Sequence, residues 1–223
     1  MSLETKSNPT QPKRQSRFWY NFVKVTGAIP AWLYLRPQIL RPYGKPPRTA
    51  LICSNHVTFY DPITVLCTFP DRTLRSLATK DLYSKRWSNA FFKAMLCIQV
   101  DKSNFTLSAF HDVVNALKEG DSVVIFPEGE VNQNDTRAPL AFKSGAVLMA
   151  HKSGAPLVPM YIVRREHWYQ RQYVVVGESI DVRTMLGPVP TMEAMTRASD
   201  FLHDQEDKLR AYYENWIQNK RNK

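Results

Sequence analysis

The feature that most constrains this chain is a short apolar run that leads, through a turn, into the start of a helix. Residues 49–53 read T-A-L-I-C with polar residues on both sides, which is typical of a short buried strand. Asp61 and Pro62 then precede the apolar segment 63–69, and an acidic N-cap followed by proline predicts a helix start. His56 therefore lies on a turn between a strand and a helix, the repeating unit of α/β folds.

His56 and Asp61 are five positions apart, and the turn between them decides whether they can interact. On one continuous helix, residues at this spacing project in different directions, whereas across a turn they can converge. In a converged pair the Asp61 carboxylate accepts the Nδ1 proton of His56, which leaves Nε2 to take a proton from a substrate hydroxyl or amine. The alternative is that Asp61 only caps its helix and His56 only binds loop backbone groups. We expect the two oxygens of Asp61 to divide between the cap and His56.

Length and cysteine content narrow the class of protein. A chain of 223 residues is long enough for one domain with a full core. The cysteines Cys53, Cys67 and Cys97 lie in or beside apolar runs and show no metal-ligand spacing, so we expect them to be reduced and buried, with no metal site. Residues 1–17 are polar and basic, which does not fit a secretory signal.

The positive charge of the chain is concentrated at its start. The net charge is +10, and residues 1–48 hold nine lysines and arginines and one glutamate, a net +8, so the rest of the chain carries only +2. A nucleic-acid-binding domain would show its basic patch on the folded module, together with a recognisable motif. Neither is present in the sequence, so we expect no nucleic-acid partner.

The first 47 residues divide into two segments. Residues 1–16 are predicted to form a disordered basic tail. Residues 17–47 are rich in aromatic residues but are interrupted by Lys24 and prolines, so they predict no membrane span and instead two short helices, broken near Pro30, that lie in the lipid headgroup region. The alternative is an amphipathic pair packed on the body of the protein. The residues expected to contact lipid are Trp19, Phe22, Lys24 and Trp32.

Residues 48–223 predict a single α/β domain with a central mixed, mostly parallel sheet flanked by helices. After the first strand and helix, strands are expected at 74–79, 97–100, 122–126, 155–163 and 173–180, and helices at 81–96, from Ser103 or Asn104 to Gly120, at 140–152 and at 191–218. Pro159 inside one strand predicts an edge strand or a bulge.

A second motif follows the strand at 122–126. Phe126, Pro127, Glu128 and Gly129 place an acid and a flexible glycine at the end of a buried strand. Taken alone this is ordinary turn chemistry. Lys143 lies in the first turn of the next predicted helix, where the helix dipole favours negative charge, and this arrangement indicates an anion for Lys143 to bind.

The order of these motifs resembles the glycerolipid acyltransferase superfamily, whose best known members are the lysophosphatidate acyltransferases. The resemblance covers residues 48–180 and rests on N-H-x-x-x-x-D at 55–61, F-P-E-G at 126–129, F-K-S-G-A at 142–146 and V-P-M at 158–160. It implies that His56, oriented by Asp61, is the general base for attack of an acceptor hydroxyl on the thioester of acyl-CoA or acyl carrier protein. It also implies a set of substrate-binding residues: Asn55, Lys102, Phe126, Pro127, Glu128, Gly129, Arg137, Lys143 and Pro159.

The resemblance further implies a lysophospholipid acceptor such as 1-acylglycerol-3-phosphate and no cofactor beyond the acyl donor. The aromatic and basic start of the chain predicts a peripheral or monotopic position on an anionic membrane, which we expect at its cytoplasmic face. Two departures matter. Lys102 replaces the usual arginine of the second block, and residues 130–132 read E-V-N where many lysophosphatidate enzymes have T-R-S. The sequence F-P-E-G-x-V-N is similar to the tafazzin branch, so a phospholipid-lysophospholipid transacylase and a silent lipid-binding protein remain alternatives. The absence of G-x-S-x-G argues against a serine hydrolase.

Overall fold

A computed structural model of the chain describes residues 14–101, 106–127 and 144–222. The strands are β1 (Gln38–Leu40), β2 (Leu51–Ser54), β3 (Leu74–Thr79), β4 (Ile98–Val100), β5 (Ser122–Ile125), β6 (Leu157–Ile162) and β7 (Tyr173–Val176). The helices are α1 (Arg14–Leu35), α2 (Asp61–Thr68), α3 (Arg86–Ala94), α4 (Leu107–Lys118), α5 (Ser144–Ser153), α6 (Arg183–Leu186) and α7 (Met192–Arg221), with a 3₁₀ helix at Lys80–Tyr83.

The strands form one seven-stranded sheet in the order β1-β7-β6-β2-β5-β3-β4. Strands β2 to β6 are parallel to one another, β7 runs antiparallel to β6, and β1 is parallel to β7. This confirms the predicted mixed, mostly parallel sheet flanked by helices. Because five strands run in the same direction, their carboxyl ends lie along one edge of the sheet, and the turn that carries His56 follows one of them.

The sheet separates two apolar cores. Leu51 and Cys53 of β2 pack on one face with residues of α4, α5 and α7. Ile52 packs on the opposite face with Val65 of α2 and Val124 of β5. Covering both faces explains why β2 and β5 read as continuous apolar runs rather than as alternating patterns.

Helix α1 differs from its prediction. It is one helix from Arg14 to Leu35 with Pro30 inside it, so the predicted break near Pro30 is wrong. A proline in a helix removes one backbone hydrogen bond, but Tyr20 and Leu35 are almost fully buried on either side of Pro30, and this packing holds both halves in line. The helix includes the last three residues of the predicted tail, whereas residues 1–13 lie outside the described part of the chain. The predicted second helix is followed by strand β1, which the sequence did not indicate.

Polar contacts attach the inner face of α1 to the body. The hydroxyl of Tyr20 accepts a hydrogen bond from the backbone N–H of Leu74 at 2.8 Å. The ammonium of Lys24 donates to the carbonyl oxygens of Pro70 and Arg72 at 2.8 and 2.6 Å, and burial lowers the pKa of Lys24. This placement favours a docking role for Lys24 over the predicted contact with lipid.

Two helix boundaries also differ from the predictions. The helix expected at 81–96 is divided into the 3₁₀ helix and α3, with a short break at Ser84 and Lys85. The N-cap of α4 is Thr106, whose side chain accepts from Ala109 N, and not Ser103 or Asn104, which lie outside the described residues. Threonine is a good N-cap for the same reason as serine, since its hydroxyl oxygen accepts from a free N–H of the first turn.

The three cysteines are free, and Cys53 is fully buried whereas Cys67 and Cys97 are partly buried. Burial raises the pKa of all three thiols, although hydrogen bonds from Ser76 partly oppose the rise at Cys97. A raised pKa leaves little thiolate, the reactive form. The cysteines therefore behave as packing residues, and no group of three or more metal-ligating side chains occurs in the described ranges.

Pro159 was expected to mark an edge strand or a bulge. This prediction is wrong, because β6 lies inside the sheet between β2 and β7. The carbonyl of Pro159 accepts from Gly177 N at 2.8 Å, so the ring nitrogen faces the same neighbour. That position is one residue beyond Val176, the last residue of β7. The hydrogen bond that proline cannot donate therefore falls just beyond the end of the β6–β7 pairing.

Gly177→Ala is expected to destabilise the fold. A Cβ at Gly177 would lie 2.8 Å from Pro159 Cγ and 2.9 Å from Pro159 O. Because this contact involves backbone and a ring, we expect a loss of about 1–3 kcal/mol in the free energy of unfolding, measured by urea denaturation. Gly27→Ala is the control, since no described atom lies within 4 Å of its Cβ and alanine favours helix. Equal stability of the two variants would contradict this packing.

Candidate active site

The carboxyl ends of β2 and β5 lie side by side at one edge of the sheet, and we call the space outside them the crevice. The chain leaves β2 for α2, which packs on one face, whereas α5, the next described helix after β5, packs on the opposite face. Since β2 and β5 are neighbours, this is a topological switch point, the place where parallel α/β sheets commonly bind ligands. His56 follows β2 and Phe126 follows β5, so both lie at this position.

The structure brings His56 and Asp61 together. The Nδ1 atom of His56 is 2.7 Å from Oδ2 of Asp61. The side chain of Asp61 has no solvent exposure and that of His56 retains 17%. Of the two interpretations of this spacing, the converged pair is the one that the structure contains.

Asp61 does not divide its oxygens in the predicted way. The N-cap of α2 is Tyr60, which makes no side-chain capping bond, and Asp61 is the first helical residue. Its Oδ2 accepts from the backbone N–H groups of Val57 and Thr58 at 2.6 and 2.8 Å as well as facing His56. Its Oδ1 accepts from the Thr58 hydroxyl at 2.7 Å. The carboxylate thus organises the turn before the helix rather than the first turn of the helix.

Thr58 is a site residue that the sequence interpretation missed. Its hydroxyl and its N–H both donate to Asp61. The available signal was a threonine three residues before an aspartate in a loop, a spacing that favours local side-chain to backbone bonds.

The donors around Asp61 match an ionised carboxylate, which only accepts hydrogen bonds. Nδ1 of His56 therefore carries the proton and donates it to Oδ2, and Nε2 is the basic nitrogen. Nε2 forms no hydrogen bond with any residue in the described part of the chain. The arrangement is an oriented base that can accept a proton from a hydroxyl placed in the crevice.

Phe126 contacts His56 directly. The two rings are stacked with centroids 4.2 Å apart and planes 19° from parallel. With Asp61 on one ring edge and Phe126 on one ring face, the imidazole is held in a single orientation. Pro127 follows Phe126 in a turn, at the end of the described residues.

Asn55 was expected to bind substrate, but the structure gives it another role. Its side-chain amide donates to Ile162 O at 2.9 Å and its Oδ1 accepts from Ile162 N at 2.7 Å, in a buried position. The side chain thus continues the pairing of β2 with β6 by one step and fixes the start of the His56 turn. Pro159 is likewise fully engaged in the sheet, with Gly177 against its ring.

Several predicted residues lie outside the described ranges, namely Lys102, Glu128, Gly129, Arg137 and Lys143. Lys102 follows Asp101, just after the carboxyl end of β4. At the same edge, Lys80 follows β3 directly and its ammonium lies 3.2 Å from an Asp101 oxygen. Lys80 is a cation that the sequence interpretation did not identify.

The outer face of α1 is apolar. Phe18, Phe22, Val25, Ile29 and Trp32 are each more than half exposed and recur at helical spacing. We call these five residues the outer stripe. Trp19 is also exposed. An apolar face turned to solvent along a whole helix is not needed for packing and marks an interaction surface.

Exposed aromatic residues connect the outer stripe to the crevice. Phe59 and Tyr60 lie between His56 and Asp61 in sequence and are both at least half exposed. Tyr60 is in edge contact with Tyr34 of α1, with centroids 6.4 Å apart. None of the helices in the described ranges has both the length and the apolar character to cross a membrane.

A sequence model of the family described as Acyltransferase matches residues 40–163, more than half of the chain. The chain belongs to this acyltransferase family. The matched region contains the strand, turn and helix around His56, as well as Phe126, and it confirms the resemblance to glycerolipid acyltransferases.

Relatives and a solved structure are similar to this chain. A Bacillus subtilis protein named 1-acyl-sn-glycerol-3-phosphate acyltransferase is 34% identical over 49% of this chain and 53% of its own length. A Mycoplasma pneumoniae protein named as a probable enzyme of the same kind is 26% identical over 64% of this chain and 56% of its own length. The chain thus spans about half the length of these curated relatives.

The structural comparison agrees on the fold. The crystal structure of the 1-acyl-sn-glycerophosphate acyltransferase PlsC from Thermotoga maritima superposes with a TM-score of 0.62 at 15% identity, over 92% of this chain and 84% of that one.

Thr58→Val is expected to weaken the turn that carries His56. The variant removes the hydroxyl that donates to the buried Oδ1 of Asp61, and a buried acceptor left without its donor costs about 1–3 kcal/mol in the free energy of unfolding. Thr58→Ser keeps the hydroxyl and should remain close to wild type. Urea denaturation of both variants measures the difference, and a Val variant as stable as the Ser variant would show that this bond contributes nothing.

Proposed function

We propose that this protein transfers an acyl group from a thioester, acyl-CoA or acyl carrier protein, to the hydroxyl of a lysophospholipid. The observation that carries the proposal is the His56–Asp61 pair, with Nδ1 held at 2.7 Å from the carboxylate and with no hydrogen bond to Nε2 from the described residues. An oriented neutral imidazole is a general base suited to a hydroxyl nucleophile.

The reaction proceeds without a covalent enzyme intermediate. As the acceptor oxygen attacks the thioester carbonyl, Nε2 of His56 takes its proton, and a carbon–oxygen bond forms. The carbon–sulfur bond then breaks, and the proton passes from the imidazolium to the departing thiolate, so the products are an ester and a free thiol. Asp61 stabilises the imidazolium between these two steps, and Phe126 keeps the ring from rotating.

The proposed acceptor is a lysophospholipid with a phosphate, such as 1-acylglycerol-3-phosphate. The names of the relatives support this substrate class. Lys102 stands where the resemblance places a phosphate-binding arginine, and Arg137 and Lys143 are proposed to replace the arginine that is absent after F-P-E-G. Lys80 is a further cation, at the sheet edge where β3 and β4 end. Lysine binds phosphate as a point charge, whereas arginine can form a bidentate pair.

The proposed working position is a membrane surface, on the cytoplasmic face where the acyl donors occur. The outer stripe on α1 is exposed and apolar, Phe59 and Tyr60 beside His56 are exposed aromatics, and Tyr60 contacts Tyr34 of α1. A lipid cover would exclude water, which would otherwise compete with the acceptor for the thioester. Trp19, Phe22 and Trp32 remain the proposed lipid contacts on α1.

His56→Ala is expected to lower turnover by at least about 10²- to 10⁴-fold, the usual contribution of a general base. The assay is thiol release from acyl-CoA in the presence of lysophosphatidate, with circular dichroism to verify the fold. His111→Ala, an exposed histidine of α4, is the control and should retain wild-type activity. A His56→Ala variant that keeps its fold and most of its activity would exclude the proposed base.

Product analysis by mass spectrometry separates this function from its alternatives. Thiol release with free fatty acid and no acylated lysolipid would indicate a thioesterase. Acyl exchange between phospholipid and lysophospholipid without a thioester would indicate a transacylase. Vesicle binding with neither product would indicate a lipid-binding protein that keeps the fold without the activity.

Lys102→Ala is expected to raise the KM for lysophosphatidate more than it lowers kcat. The reason is that the ammonium of Lys102 would bind the acceptor phosphate equally in the ground and transition states. Initial rates over a range of lysophosphatidate concentrations measure both constants, with Lys118→Ala in α4 as a charge-matched control. An unchanged KM would argue against a phosphate contact for Lys102.

A further inference from the structure

The loop between β6 and β7, residues 163–172, presents two large aromatic side chains to solvent. We call it the hairpin loop. Trp168 is 73% exposed and Tyr169 is 55% exposed, with the Trp168 and Tyr169 rings in edge contact. The loop also carries three arginines and one glutamate, so its net charge is +2.

The hairpin loop is internally braced. The side-chain oxygen of Gln170 accepts from the backbone N–H groups of Glu166 and His167 at 2.9 and 3.2 Å. The guanidinium of Arg165 donates to Trp168 O at 3.2 Å. At the end of the loop, the buried Gln172 side chain donates to Val163 O at 2.7 Å. The loop is thus built to hold its aromatic tip outward, although burying that tip on the body would remove apolar surface from water.

The hairpin loop is joined to the carboxyl end of α1. Gln172 N donates to Leu35 O at 2.9 Å, and the guanidinium of Arg36 donates to Tyr169 O. The guanidinium of Arg165 lies over the ring of Tyr34, 4.8 Å from its centroid. The loop therefore adjoins the end of the outer stripe that lies beside Tyr60 and the crevice.

We propose that the hairpin loop is a second membrane contact, in which Trp168 and Tyr169 insert at the headgroup level of an anionic lipid surface. Tryptophan and tyrosine beside arginine are the residues that settle at that level, because the rings are apolar and their polar atoms remain hydrated. The positive charge of the loop complements anionic headgroups. The inference rests on the proposed function, since it extends the surface formed by α1.

This contact gives the active site a fixed height above the lipid. The hairpin loop leaves the sheet just after Ile162, whose N–H and carbonyl are both bound to the side chain of Asn55, the residue before His56. Because the loop and α1 are joined to each other, anchoring both in the lipid holds the base at one depth. A lysolipid still embedded in the bilayer then presents its hydroxyl to His56 without leaving the membrane.

The test compares Trp168→Ala, Trp168→Phe and Met192→Ala with the wild-type chain. Met192, at the start of α7 on the opposite face of the sheet, is 72% exposed and so matches Trp168. Binding is measured by cosedimentation with vesicles of phosphatidylcholine and phosphatidylglycerol, and activity with lysophosphatidate in the vesicles and with a short-chain lysophosphatidate dispersed as monomers. Circular dichroism verifies that each variant is folded.

We expect Trp168→Ala to bind vesicles about tenfold or more weakly, given the apolar area of the lost ring. Its rate should fall on vesicle-borne substrate and stay unchanged on monomeric substrate. Trp168→Phe should retain most of the binding, and Met192→Ala should behave as wild type.

Two outcomes would overturn the inference. One is a Trp168→Ala variant that binds vesicles as tightly as wild type. The other is a Trp168→Ala variant that binds vesicles normally and is active with acyl-CoA but not with acyl carrier protein. That result would identify the loop as a contact for acyl carrier protein. Failure of the wild-type chain to bind vesicles or to form product would instead contradict the proposed function itself.

Discussion

Four hydrogen bonds converge on the carboxylate of Asp61, from the ring of His56, the backbone of Val57 and both the backbone and the hydroxyl of Thr58. A carboxylate without solvent exposure is tolerated only when its charge is fully compensated. The requirement to compensate this charge therefore fixes the backbone of the turn and the orientation of the imidazole together. The shape of the turn and the tautomer of His56 are both consequences of one buried charge. A loop can therefore hold the imidazole in a fixed position.

Residues at the ends of the two neighbouring strands also support the His56 turn. On one side β6 ends at Ile162, which the amide of Asn55 binds through both its N–H and its carbonyl. On the other side β5 ends beside Phe126, whose ring stacks on His56. Because β2 lies between β6 and β5, the sheet order alone delivers both supports to the same turn. The position of β2 at the switch point thus accounts for a rigid site at the end of a rigid element.

Short sequence patterns predicted the elements whose structure depends on neighbouring residues. They failed where a contact with a residue distant in sequence determines the structure. Strand β3 and the turn between β2 and α2 were found because apolar runs and helix-start residues act within a few positions. The resemblance assigned Asn55 to substrate binding, and local sequence could not indicate its bond to Ile162, which is 107 positions away. Pro159 predicted an edge strand or a bulge because the sequence does not show that β7 ends at Val176, one residue before the position opposite Pro159. The continuity of α1 through Pro30 depends in the same way on packing that only the tertiary fold supplies.

The positive charge at the start of the chain predicted a contact with anionic lipid, and the structure shows that these cations also bind the body of the protein. All six cations of residues 17–48 bind the body: Arg17 and Lys45 contact acids, and Lys24, Arg36, Arg41 and Arg48 donate to carbonyl oxygens. A carbonyl carries no net charge, so these four cations still contribute a positive field, but their positions are set by the protein. Attraction of this field to an anionic surface is screened within about 8–10 Å at physiological salt. In the proposed membrane contact, the outer stripe, which salt does not weaken, would therefore supply most of the binding energy, and the charge would mainly orient the approach.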